Sequence, residues 1–87
     1  MTTVAVVHPY AGSTPAGLVY RDPVQIECTV REGGQVEADA AAVGVCPLWS
    51  VLVVPGRYRN SRPRKVRAVA IQHEGDRVVI ATEALIG

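Results

Sequence analysis

The chain has no phenylalanine, one tryptophan, one methionine and two cysteines in 87 residues. A core without Phe must be filled by smaller side chains, and here these are 16 Val, 11 Ala, four Ile and four Leu. β-branched residues stiffen χ1 and suit a pleated surface, so this inventory favours strands. Each buried Val is worth only about 1.5–3 kcal/mol, and a domain this short buries roughly 60% of its unfolded-chain surface. A single domain over residues 1–87 with a thin core is expected, drawing part of its stability from neighbours.

Two cysteines are too few for a disulfide scaffold, and Cys28 and Cys46 form no C-x-x-C pair, so free buried thiols are the expected state. Together with His8 and His73 they match no zinc spacing, and neither metal nor cofactor is expected. No stretch approaches the roughly 18 apolar residues of a membrane span. The start, MTTVAVVH, has no basic n-region followed by a long apolar run. These absences predict a soluble, cytoplasmic protein without a membrane partner.

Catalytic motifs are also missing. AGSTPAG, residues 11–17, has neither the spacing nor the Lys of a phosphate-binding loop, nor a G-x-S-x-G elbow. His8 and His73 are the candidate general bases, and one neighbouring carboxylate (Glu74 beside His73) does not argue a triad. The chain is expected not to be an enzyme.

What the sequence does contain is alternation. In VQIECTVREGGQVEADA, residues 24–40, Val24, Ile26, Cys28 and Val30 alternate with polar residues, as do Val36, Ala38 and Ala40. A two-residue Gly33-Gly34 loop would set Arg31 opposite Val36, a charge on the apolar face. A three-residue loop, Glu32-Gly33-Gly34, instead pairs Val30 with Val36, Cys28 with Ala38 and Ile26 with Ala40, and is the expected turn. A second hairpin is read in VRAVAIQHEGDRVVIAT, residues 66–82, turning on Glu74-Gly75 with Ile71 opposite Val78 and Val69 opposite Ile80. Both its faces are apolar, which predicts cover on both sides, either by the rest of a barrel or by a neighbouring subunit.

PLWSVLVVPG reads as a buried strand in which Trp49, in phase with Val51 and Val53, anchors the core; an interface hot spot is the alternative. TVAVVH is a further short strand. In ADAAAVGV either Asp39 caps one helical turn near 39–43 or the strand runs on to Cys46. Residues 9–17 and 56–64 read as mobile loops. The expected fold is all-β, a small barrel or rolled antiparallel sheet of five to six short strands.

Negative charge is absent from residues 41–73, which hold six basic residues, all of them within RYRNSRPRKVR at 57–67. Three readings stay open for this stretch: a solvated loop, a protein dock, or a grip on nucleic acid. Arg57, Tyr58, Arg59, Arg62, Arg64, Lys65 and Arg67 are its candidate contacts, Arg for bidentate pairing with carboxylates and Tyr58 for stacking on a base. Tyr10, Ser13 and Thr14 are the candidate contacts of the other loop, where an amphipathic ring suits docking.

The run LWSVLVVPGRYRNSRPRKVRAVAIQHEGDRVVIATEALIG orders a Trp-containing strand ending in Pro-Gly, a charged loop, and a hairpin turning on Gly-Asp. This order resembles the small β-barrel head-completion proteins of tailed bacteriophages, the adaptors and stoppers between portal and tail. The resemblance covers the second half of the chain and rests on element order and length. It implies a structural virion protein, a neck component forming a ring of identical copies between portal or adaptor and tail proteins. There the basic loop meets carboxylates of the next ring or the DNA passing through. A capsid-decorating protein, a nucleic-acid-binding barrel resembling OB or SH3-like modules, and a small regulatory subunit are the alternatives.

Overall fold

Strands β4 (Val24–Val30) and β5 (Val36–Asp39) form the hairpin that the alternation predicts. Val30 lies opposite Val36 and Cys28 opposite Ala38. The Glu32–Gly34 loop closes it through a bond from the Arg31 N–H to the Gln35 carbonyl at 2.7 Å. Gly33 and Gly34 both sit at φ 86°, a conformation glycine adopts without a Cβ clash. The third expected pair, Ile26 with Ala40, does not form. The Asp39 carboxylate instead accepts the Ala41 N–H at 2.9 Å and caps a 3₁₀ turn, Ala40–Gly44, which ends the strand.

The chain described here is a computed structural model covering residues 2–56 and 62–85. Besides β4 and β5 it contains β1 (Thr2–His8), β2 (Tyr10–Thr14), β3 (Gly17–Tyr20), β6 (Val51–Val54), β7 (Arg64–Glu74) and β8 (Arg77–Ala84). Six of these strands close an antiparallel barrel in the order β1-β4-β5-β8-β7-β6, while among the described residues β2 and β3 pair only with each other. The all-β barrel expected from composition and alternation is therefore present. Segment 9–17, read as a loop, lies largely within the β2–β3 hairpin, an arm outside the barrel. Its turn is held by Thr14, whose hydroxyl donates to the Gly17 carbonyl and accepts from the Ala16 N–H.

The barrel interior holds Ala5, Val7, Ile26, Cys28, Val36, Ala38, Cys46, Leu52, Val54, Val66, Ala68, Val78 and Ile80. Among the described residues it contains no aromatic ring, which matches the thin core expected from the composition. Both cysteines are free and buried. Burial pushes the Cys46 thiol up to about 11, against a smaller opposing effect of its hydrogen bond with Ser50.

Two sequence readings are corrected within the barrel. The β7–β8 hairpin turns on Gly75-Asp76, not Glu74-Gly75, so Ile71 faces Ile80 and His73 faces Val78. Gly75, at φ 67°, supplies the left-handed residue that a two-residue turn needs at its first position. A bulge between Ala68 and Ala70 then switches the inward phase of β7. Val66 and Ala68 are buried before it, while Val69 is left 38% exposed. The ribbon is thus covered unevenly: Val78, Val79 and Ile80 are all buried on β8, so both of its faces are covered there, while Val69 of β7 is partly exposed. Trp49 is the other correction: it is 53% exposed, and the inward residues of β6 are Leu52 and Val54. Both phases of Val51–Val54 are apolar, so alternation alone did not choose between them.

Candidate docking surface

Ser50, with no exposed surface, is the root of the surface features. Its hydroxyl oxygen accepts the Tyr10 N–H at 3.0 Å and so ties the start of the arm to the barrel. Its carbonyl accepts the Ala68 N–H, and the Trp49 N–H donates to the Ala68 carbonyl, extending the β6–β7 seam by two bonds. To make that turn into β6, Trp49 takes φ 74°, the one non-glycine residue with positive φ among the described residues. A bulky residue there carries backbone strain, of the kind that collects at functional sites.

The strained backbone turns the indole outward. The Arg67 guanidinium carbon lies 5.8 Å from the ring centroid, and its Nη1 donates to the Trp49 carbonyl at 2.8 Å. This is a cation–π contact with a fixed partner. Leu48, the residue before Trp49, is 45% exposed, and Val69, the residue after its backbone partner Ala68, is also exposed. On the outer face of the seam Lys65 stands beside Val53, and Arg67 beside Val51.

The arm carries a second exposed apolar surface. Leu18 is 50% and Val19 41% exposed, and as strand neighbours they point to opposite faces of the two-stranded sheet. A two-stranded hairpin is marginal alone in water; at its base Tyr10 and Tyr20 stack edge to face, with centroids 6.2 Å apart. Between this base and the segment before β6 runs an open groove of ≈ 830 Å³, lined by Tyr10, Tyr20, Arg21, Val24, Val45 and Pro47 among others.

Among the sequence-predicted contacts, Arg57, Tyr58 and Arg59 lie outside the described residues. Arg62 is exposed just before β7. Arg64, Lys65 and Arg67 belong to strand β7 and not to a loop, with Val66 buried between them. Ser13 and Thr14 are exposed on β2, and Tyr10 is half-buried at its root. The structure therefore places the arm candidates on one hairpin and the last three basic candidates on one strand. Trp49 joins Arg67 although the alternation had assigned it to the core. No local sequence signal marks its positive φ, because that conformation arises where a chain segment meets a distant strand.

On the other side of the barrel, Glu37 accepts from Arg31 Nε at 2.8 Å and from Arg77 Nε at 3.3 Å. These hydrogen bonds, the one from Arg31 foremost, hold its carboxyl below the ordinary 4.5. They tie β5 to β8 and to the residue after β4. Among the described residues no group of three His, Cys, Asp or Glu side chains is placed to hold a metal, and no helix is long and apolar enough to cross a membrane. The class defined by fold and surface is a small closed β-barrel with a projecting hairpin arm. No protein-family model, curated protein or solved structure matches the chain.

Proposed function

We propose that this chain is a non-enzymatic structural subunit, a head-tail connector of the virion neck, which assembles with copies of itself and with portal-side and tail proteins. The observation that carries the reading is the β2–β3 arm. It stands outside a barrel that already closes without it, and it leaves Leu18 and Val19 exposed on opposite faces. A subunit completed by its neighbours has a use for such an arm, since the neighbour supplies the third strand or the covering face. The order of elements in the second half of the chain, similar to that of head-completion barrels, supports the virion setting.

Negative-stain microscopy of the concentrated full chain tests it. Closed rings of one copy number are expected, and a Leu18→Ser, Val19→Ser variant should lose them while keeping the barrel's circular dichroism. Rings that persist in this variant, or no rings at any concentration, would count against the reading.

A nucleic-acid-binding barrel is the second reading, favoured by the exposed Arg62, Arg64 and Lys65 beside Arg67 and the outward Trp49. Binding of labelled single- and double-stranded DNA across a salt series separates the two. Micromolar affinity that falls steeply with salt, and that an Arg62, Arg64, Lys65 to Ser variant abolishes, would make nucleic acid the partner.

A further inference from the structure

β7 is eleven residues long, but its partner β6 covers only Arg64–Arg67. Trp49 and Ser50 extend the seam to Ala68. From Val69 to Glu74 the strand pairs with β8 on one side, and among the described residues nothing pairs with the other. The backbone there is not neutral ground. In a two-residue hairpin the residues flanking the turn exchange both hydrogen bonds, so Glu74 directs its N–H and C=O at Arg77. Alternation then points the N–H and C=O of His73 and Ile71 to the open side. Proteins usually blunt such an edge with Lys, Pro or a short strand. Val69–Glu74 contains no Lys or Pro, and its one bulge lies at its start.

We infer that this open edge is an interface for a second copy of the chain, paired antiparallel about a two-fold axis at Ile71. The charge pattern selects the occupant. β7 is basic at its start, with Arg64, Lys65 and Arg67, and acidic at its end, with Glu74 and then Asp76 in the turn. Antiparallel self-pairing over Val69–His73 stops where Trp49 and Ser50 already hold the edge at Ala68, so the acidic end of one copy, led by Glu74, meets Trp49 and Arg67 of the other end-on, twice by symmetry. Parallel pairing would align like charges. Centring the axis on Ile71 keeps the inward side chains of both copies on one side of the joined sheet. It also sets Ile71 against its symmetry mate and the His73 N–H toward the Val69 carbonyl, so that the outward N–H groups of Ile71 and His73 both meet acceptors; the Val69 N–H, on the same peptide as the Ala68 carbonyl that Trp49 occupies, points to β8. This goes beyond the connector reading and stands on different residues. A two-fold contact joins two copies and closes no ring, so it is separate from any contact the arm makes.

Sedimentation of the full chain across a concentration series, with hydrogen exchange read at Ile71 and His73, tests the contact. A monomer–dimer equilibrium is expected, with both amides protected only in the dimer. His73→Pro removes an outward N–H without removing a β7–β8 bond, and Pro is tolerated on an open edge. Two bonds are lost per dimer, so the dissociation constant should rise about thirtyfold. Glu74→Lys with Asp76→Lys should weaken the dimer, and adding Arg67→Glu should restore it. A chain that stays monomeric up to about 1 mM, or a dimer that His73→Pro leaves unchanged, overturns the inference. The arm variant separates it from the connector reading: Leu18→Ser, Val19→Ser should abolish rings and leave the dimer intact.

Discussion

Trp49 offers a direct test of whether the surface around Arg67 is held under strain. Its φ of 74° costs a residue with a Cβ about 1–2 kcal/mol. The indole gives something back. It is 53% exposed, so of the order of 100 Å² of ring is buried, worth about 2.5 kcal/mol. The Arg67 contact adds about 0.5–1 kcal/mol. Trp49→Ala and Trp49→Gly both lose the indole, but only glycine also releases the strain. In an ordinary strand position glycine is less stable than alanine by about 0.5–1 kcal/mol because of its unfolded-state freedom. Here the strain released exceeds that, and Trp49→Gly should be more stable than Trp49→Ala by about 0.5–1 kcal/mol. For a domain of this size that is about 2–8 °C in Tm. Thermal and urea unfolding of the two variants, read by far-ultraviolet circular dichroism at a concentration where both are monomeric, measures the difference. An alanine variant as stable as the glycine variant, or more so, would refute the reasoning, because the turn at residue 49 would then store no strain.

Ser50→Ala deletes the acceptor of the Tyr10 N–H and should cost about 1–2 kcal/mol. The Tyr10 amide should exchange faster than in the wild type while the amides of the β4–β5 ladder keep their protection; unchanged exchange at Tyr10 would show that the arm is anchored by other contacts. Glu37 governs an acid dependence whose sign is fixed by its lowered pKa. A carboxyl depressed in the folded state stabilises the fold above its ordinary value, here 4.5, and that contribution is lost as pH falls through the folded value. Urea midpoints measured from pH 7 down to pH 2 should therefore fall more steeply below about pH 4.5 for the wild type than for Glu37→Gln, and parallel curves would contradict the Arg31–Glu37–Arg77 clamp.

The β4–β5 hairpin was legible in the sequence because one face is apolar and the other polar. Of the two short loops that the glycines allow, only the three-residue one keeps Val30, Cys28, Val36 and Ala38 on the same side, so turn position and phase together determined register. The Asp39 cap was legible only as one of two readings: a short carboxylate reaches the N–H two residues on, but nothing local excluded a strand running on to Cys46. Where both phases are apolar, as in Val51–Val54 and Ala68–Ile71, the same logic had no purchase. The inward side of β6 and the bulge in β7 were decided by which neighbours close the barrel. The arm was hidden because Gly12, Pro15 and Gly17 read as breakers, while its pairing depends on Tyr10 meeting Tyr20 and Ser50 across the chain.

The docking surface divides in the same way. The concentration of Arg and Lys at 57–67 and the acidic tail of β7 are plain in the sequence, since charge order along a strand survives any fold. Trp49 under Arg67, and a strand edge that no described residue pairs beyond residue 68, are not. Both follow from β6 being four residues long and β7 eleven once the barrel has closed. Composition and alternation thus determined an all-β chain with a small-residue core. Which residues face water was a property of closure, because a strand's exposed edge and outer face exist only relative to the strands that end beside it.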